Sequence, residues 1–291
     1  MDVTRNLMSI MDISSKNPIE TGSFAPWSFT LWPPNSIRIV DWNIDRGLRL
    51  GGVIEFLADA KADLLILQEV DMNAKRTHRL NVAREIAQKL QMNYVFGREF
   101  QELTQGSRSS PAFHGQATLS PWPLSNSRVL KFQRQSDFWR PRWYLPDVEP
   151  FQERIGGRMA LVVDVNLAGR WLVSYNMHLE SRGDASLRQA QLRECLRDSK
   201  QYKPSTPIVL AGDMNLNVAR INASSELKRE DFDSPFTEQQ TRTTPAKSLF
   251  DRGSIIDWIF TRGPIRATRP QVHTSVSASD HFPLSLNLSF V

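Results

Sequence analysis

From Ile37 onward the chain alternates short apolar runs with stretches of helical period. The runs "SIRIVDWN", "ADLLILQE", "MALVVDVN", "WLVSYNMH", "TPIVLAGD", "SIIDWIF" and "PLSLNLSFV" have the length and apolar density of strands. In the last of them Leu284, Leu286, Leu288 and Phe290 recur at every second position and so share one face, the pattern of a half-buried antiparallel strand. Apolar spacing of three and four predicts helices near 51–60, 80–92 and 185–198, the last bringing Leu192, Cys195 and Leu196 together. Strands and helices are interspersed, with no internal repeat and no linker rich in Gly or Ser. Residues 36–291 are therefore expected to form a single mixed α/β domain. Residues 1–35 read as an N-terminal extension, partly disordered. It is polar at first and then carries "APWSFTLWPPNS", where Pro33 and Pro34 break regular structure and Trp27 and Trp32 offer anchors to the body.

Composition narrows the class only a little. The chain has 291 residues, 40% of them hydrophobic, ample for a core. No apolar run approaches the roughly 18 residues of a membrane span, so no stable membrane association is expected. The opening "MDVTRNLMSIMDISSKN" lacks a sustained apolar stretch and a small-residue cleavage site, which speaks against a secretory signal. The one cysteine, Cys195, leaves no internal disulfide to form and fits a reducing cytoplasm; on its apolar helical face it reads as core packing. Lys and Arg number 36 against 31 Asp and Glu, for a net charge of +5. That excess admits a phosphate-bearing substrate without naming one. The protein is expected to be a monomer.

Chemistry gathers where the strand-like runs end. "IRIVDWNID" closes on Asn43 and Asp45, and "LLILQEVD" reaches Glu69. "WLVSYNMHLE" reaches His178; "IVLAGDMN" reaches Asp213 and Asn215, which alternation along an extended chain would put on one side. "SIIDWIF" embeds Asp257, and "SASDHFPL" sets Asp280 and His281 just before the last strand. An ionised Asp seldom ends a core strand without a partner that offsets its desolvation. Each residue taken alone also has an ordinary structural explanation as a cap, a turn former or a backbone-bonded His. Six such coincidences in one chain point instead to chemistry held on a rigid scaffold.

In order, "DWNID", "LQEVD", "NMHLES", "GDMN", "IDWIF" and "SDH" resemble the endonuclease/exonuclease/phosphatase family of metal-dependent hydrolases, across about Ile37 to Val291. That family includes pancreatic deoxyribonuclease, exonuclease III-type abasic-site endonucleases, inositol polyphosphate 5-phosphatases, neutral sphingomyelinases and tyrosyl-DNA phosphodiesterases. The resemblance implies an α/β fold, a four-layer αββα sandwich of two face-to-face mixed β-sheets flanked by helices, with the site at one edge. It also implies a set of roles. Glu69 is the first choice to hold Mg²⁺ (or Mn²⁺ as a substitute), with Asp45 as a helper and Asp280 able to hold a second metal or position water. Asn43 assists there in the first or second shell and is assigned to substrate binding. Asp213 would act as base toward water and Asn215 would donate to a phosphate oxygen. His281, oriented by Asp257, would stabilise charge developing on the phosphate, and His178 would stand on its other side. Whether one or two metals take part is left open.

Other features bear on the substrate. "QSDFWRPRWYLP" interleaves Arg140 and Arg142 with Trp139 and Trp143; Trp packed under Arg is favoured over stacking on the bases of a nucleic acid. Arg182 in "HLESRGDA", a stretch that resembles tyrosyl-DNA phosphodiesterases, is a candidate phosphate contact. His78, His114 and His273 are read as structural or surface residues. The expected function is hydrolysis of phosphodiesters in DNA or RNA, as a nuclease or in DNA-end processing. Inositol phosphates or phospholipids are the alternative substrates, and a non-catalytic binding module comes third.

Overall fold

The computed structural model describes residues 17–26, 32–139, 144–146, 153–218, 223–237, 242–246 and 253–291. Its strands are β1 (Ile19–Ser23), β2 (Ser36–Arg46), β3 (Leu64–Met72), β4 (Asn93–Glu102), β5 (Ala112–Ser120), β6 (Leu124–Lys131) and β7 (Arg154–Gly156). They continue as β8 (Met159–Leu167), β9 (Arg170–His178), β10 (Ile208–Asp213), β11 (Asp257–Arg262), β12 (Ile265–Val272) and β13 (Leu284–Phe290). The helices are α1 (Leu50–Ala60), α2 (Val82–Leu90), α3 (Ala185–Ser199) and the short α4 (Ala223–Arg229). One sheet runs β1-β4-β5-β3-β2-β13-β12, with β7 also on β4, and the other runs β11-β10-β9-β8-β6. Both are mixed: β2–β3 and β9–β10 are parallel pairs, and their neighbours pair antiparallel.

Strand β2 explains the layering. Ile37 and Ile39 join the core between the sheets, whereas Val40, Trp42 and Ile44 pack with Val53, Leu57, Val82 and Ile86 of α1 and α2. Opposite faces of one strand thus serve two cores. Strand β9 repeats the device on the other sheet. The Tyr175 hydroxyl donates to Asp198 of α3 at 2.5 Å, while Asn176 donates back to the Leu67 carbonyl of the first sheet at 3.0 Å. The result is helices, sheet, sheet, helices. Each fully buried aliphatic side chain in these layers contributes about 1.5–3 kcal/mol relative to exposure. Helix starts follow side-chain chemistry: Asn81 accepts from the Arg84 amide at 3.1 Å, and Asp184 from the Leu187 amide at 2.9 Å. Cys195 is buried on the inner face of α3.

Strands β4, β5 and β12 lack the apolar runs from which strands were predicted. Buried charge accounts for β4: Glu99 lies 3.0 Å from Arg158, and Glu102 lies 3.1 Å from Arg154. In β5, Gln116 donates to the Met159 carbonyl at 3.0 Å and accepts from the Leu161 amide at 3.2 Å, stitching the two sheets together. Strand β12 carries Pro270, tolerated because it is an edge strand.

Within the stretch read as an extension, β1 pairs antiparallel with β4 from Ile19↔Gly97 to Ser23↔Asn93. Trp32 is 80% exposed and does not anchor this segment; Arg170 does, donating to the Pro34 carbonyl at 2.7 Å. Trp27 lies outside the described residues, as do Arg140, Arg142 and Trp143. Among the described residues no helix is long and apolar enough to cross a membrane.

Candidate active site

Three neighbouring strands deliver three polar side chains to one level. In the register of the second sheet Asp213, the last residue of β10, stands opposite His178 of β9 on one side and Asp257 of β11 on the other. Gly212 makes that ending possible. Its φ is +141°, and a Cβ there would fall 1.9 Å from the Met177 carbonyl oxygen, so only glycine lets β10 and β9 approach this closely. From the facing sheet Asn43, on the inward side of β2 with Ile37 and Ile39, donates to Asp213 Oδ2 at 3.2 Å. His281 arrives on the segment before β13. Trp42 Nε1 donates to its carbonyl at 2.8 Å, and Ser279 Oγ accepts its amide at 3.1 Å while donating to the Asn43 carbonyl at 2.7 Å.

The two histidines converge on one oxygen. Nε2 of His178 and Nε2 of His281 lie 3.6 and 3.7 Å from Asp213 Oδ2, and all three side chains are buried. On its far side, His281 Nδ1 meets both Asp257 oxygens, at 3.0 and 2.9 Å. Burial works against a charged imidazole there, but Asp257 and then Asp213 outweigh it and raise the His281 pKa to about 10. For His178 burial wins, reinforced by the Arg158 charge, and its pKa falls well below the ordinary value. At neutral pH the site therefore pairs a charged ring with a neutral one. Asp213 is raised to about 7, by burial first; the His281 charge opposes the rise and Asp257 adds to it. Paired titratable groups driven apart by their surroundings are the arrangement acid–base chemistry uses.

Asn215 does not follow the alternation expected of it. The strand ends at Asp213 and Asn215 turns to φ +47°, its amide N–H on Asp213 Oδ1 at 2.8 Å and its side-chain amide on the Leu179 carbonyl at 3.0 Å. It thereby holds the Asp213 carboxylate in place.

An acidic corner adjoins this cluster. Asp45 and Glu69 both adopt left-handed backbone, φ +45° and +50°, where the registers of β2–β3 and β3–β5 slip. Such bulges re-aim side chains. Burial raises the Asp45 carboxyl, and the negative charges of Asp280 and Glu69 add to it against Arg46 and Arg49. At Glu69 burial would raise the carboxyl too, but His114, His178, Arg46 and Arg158 outweigh it and hold it well below the usual carboxylate range. Mutually repelling hard oxygens, with one carboxylate kept ionised, fit a Mg²⁺-like ion. Asp213, Asp257 and His281 also offer one donor atom each within 4.8 Å of one another. That group suits a metal poorly, because both Asp257 oxygens serve Nδ1 and a protonated imidazole has no lone pair to give.

Several buried residues near the site escaped the sequence reading. Asp41, two residues before Asn43 on the same face of β2, is fully buried. It accepts from Gln68 Nε2 at 2.9 Å, and Gln68 Nε2 also reaches Asn176 Oδ1 at 2.9 Å. Burial, followed by the charge of Asp257, raises the Asp41 carboxyl well above its ordinary value. Glu99 Oε2 lies 3.7 Å from His178 Nδ1, and Arg158, 3.0 Å from Glu99, backs the pair. Only Asp41 left a trace in the sequence, through its spacing of two from Asn43. Arg182 is not drawn into the Asp213 cluster. It is exposed, with its guanidinium 4.8 Å from the Phe138 ring and its amide on Glu180 Oε1 at 2.9 Å. Trp139 is buried beside Arg154 and donates to Glu180 Oε1 at 3.1 Å. His114 is buried on Asp71 at 3.0 Å, His273 bonds Ser285 at 2.8 Å and His78 is exposed.

Comparison with known proteins bears on the fold and the family. A structure of an endonuclease/exonuclease/phosphatase from Beutenbergia cavernae superposes with a TM-score of 0.64 at 16% identity, covering 88% of this chain and 72% of that one. A humanized Danio rerio (D. rerio) TDP2 gives 0.60 at 18% identity, covering 88% and 100%, and TDP2 from Caenorhabditis elegans 0.57 at 17%, covering 87% and 75%. At such identities the likeness speaks for the fold. No curated protein matches in sequence. Residues 42–281, from the Trp beside Asn43 to His281 itself, match the profile of the Endonuclease/Exonuclease/phosphatase family, and the chain belongs to that family.

Proposed function

We propose that the protein is a divalent-metal-dependent phosphodiesterase acting on nucleic acid. The family is generally hydrolytic on phosphate esters. One observation carries the assignment here: a single carboxylate oxygen, Asp213 Oδ2, within 3.6–3.7 Å of the Nε2 atoms of two buried histidines, whose surroundings push their pKa values in opposite directions. In this reading Asp213, once ionised, takes the proton of an attacking water. The charged His281 ring, aligned by Asp257, donates to the phosphate oxygen as negative charge grows on it. His178, neutral, contacts the phosphate from the other side, and Asn43 and Asn215 keep the base oriented. A divalent cation held by Glu69, with Asp45 and Asp280 beside it, would polarise the phosphoryl oxygen and support the departing alkoxide.

Nucleic acid is favoured as substrate by fold likeness to TDP2 structures and by the net charge of +5. The exposed Arg182–Phe138 pair is suited to a phosphate beside a base. The test is purified protein with Mg²⁺ or Mn²⁺ against labelled single- and double-stranded DNA, RNA and a panel of phosphomonoesters. Strand scission supports the proposal. Release of inorganic phosphate without any scission would replace it with a phosphomonoesterase of inositol or lipid phosphates.

A further inference from the structure

Arg46 lies across the acidic corner. Its Nη1 is 2.7 Å from Asp45 Oδ1 and its Nη2 is 3.8 Å from Glu69 Oε2. It stands on a run of three successive left-handed residues, Asp45, Arg46 and Gly47, with φ of +45°, +64° and +79°. A non-glycine residue persists in that region only where its surroundings hold it there. The other arginines bound to carboxylates in this part of the protein are differently built. Arg76 is 17% exposed and reaches Asp71 through two nitrogens as well as Glu102; Arg154 and Arg158 are 6% and 3% exposed. The Arg46 side chain is 31% exposed, makes one short contact and one long one, and has a way out to solvent.

We propose that Arg46 is the resident counter-ion of the metal corner. Its guanidinium neutralises Asp45 and Glu69 until a divalent cation takes those oxygens, and then it swings outward. The two compete. The guanidinium occupies Asp45 Oδ1 and faces Glu69 Oε2, and a divalent ion a few ångströms from a guanidinium meets strong like-charge repulsion in a half-buried site. Arg46 thereby sets the ion concentration at which the corner fills. This inference rests on the metal reading of Asp45 and Glu69, and it deepens that reading.

The test needs no turnover. Mn²⁺ binding, followed by loss of the free-ion electron paramagnetic resonance signal, is compared in wild type, Arg46→Gln, Arg46→Met and Arg49→Met. Arg49 also acts on the Asp45 carboxyl, as a charge at a distance, and controls for the loss of one positive charge nearby. Both Arg46 variants are expected to bind Mn²⁺ at least about fivefold more tightly, and Arg49→Met less than about twofold more tightly. Without metal the Arg46 variants should melt below wild type, and saturating Mn²⁺ should close that gap. Equal or weaker Mn²⁺ binding in the Arg46 variants overturns the inference, as does equal tightening in Arg49→Met. Absence of Mn²⁺ binding in wild type overturns the metal reading itself, and the inference with it.

Discussion

Nε2 of His281 stands 3.7 Å from Oδ2 of Asp213, while Nδ1 of the same ring meets both oxygens of Asp257. One imidazole is thus shared between a carboxylate raised to about 7 and a second carboxylate that helps hold the ring charged up to about 10. Activity on a small phosphodiester such as bis-p-nitrophenyl phosphate is expected to rise through about pH 7, as Asp213 loses its proton, and to fall near 10, as His281 loses its own. Asp213→Asn should abolish the rising limb, and Asp213→Asn and His281→Ala should each lower kcat by roughly 10²-fold or more. A steady-state pH profile checks this, with circular dichroism to verify folding. Near wild-type rates in Asp213→Asn would end its assignment as base.

Asp257→Asn should be milder than His281→Ala, because Asp257 acts through the ring. It should also move the His281 titration, followed by NMR at the ring Cε1 proton, down from about 10 toward the ordinary histidine range. The sign for stability follows. A folded pKa raised from 6.5 to about 10 gives stabilisation that is full below 6.5 and lost as pH rises through 10. Melting temperature should therefore drop across that window in wild type, and less steeply in Asp257→Asn.

Chelation tests the acidic corner. Hydrolysis is expected to vanish in excess EDTA and return with Mg²⁺ or Mn²⁺. Glu69→Gln should raise the metal concentration needed for half activity by roughly tenfold or more. Full turnover in EDTA would rule the corner out as a metal site.

Substrate choice is tested at Arg182. If the chain to be cut runs past the Phe138–Arg182 pair, Arg182→Ala should raise KM or lower kcat on DNA and leave bis-p-nitrophenyl phosphate nearly unaffected. DNA binding should also weaken steeply with salt, as cations on the protein displace counterions from the phosphates. A loss of equal size on both substrates would place Arg182 in folding and not in recognition.

Gly212 offers a structural check. A methyl group there meets the Met177 carbonyl at 1.9 Å in a backbone region closed to other residues. Gly212→Ala should cost about 2–4 kcal/mol in denaturant unfolding.

Much of this arrangement is legible in the sequence because one strand at a time carries it. Strands with apolar runs and the helices capped by Asn81 and Asp184 announce themselves, and the acidic and amide residues closing those strands mark one edge of the sandwich. What escapes is whatever depends on pairing between distant segments. Glu99 interrupts its own strand pattern and is intelligible only with Arg158, 3.0 Å away from another part of the chain. Asn215 escapes differently. Alternation holds only while the chain stays extended, and here it leaves the extended state one residue too early for the rule. Strand β12 is masked by Pro270, a residue that a sheet accepts only where no neighbour needs its missing N–H.

The two halves of the site are built of unlike material. Asp213, His178 and Asp257 share a rung of a sheet whose hydrogen bonds open only when β9, β10 and β11 separate. Asp45, Arg46 and Glu69 sit on left-handed residues where the ladders of β2–β3 and β3–β5 slip and leave backbone groups unpaired by the sheet. Amide exchange should therefore be slow on the first half, near the global limit, and faster on the second. If the acidic corner takes the divalent ion proposed above, a firm Asp213 rung beside a looser corner would let the protein adjust to ions of differing radius without disturbing the alignment of Asp213, His178 and His281.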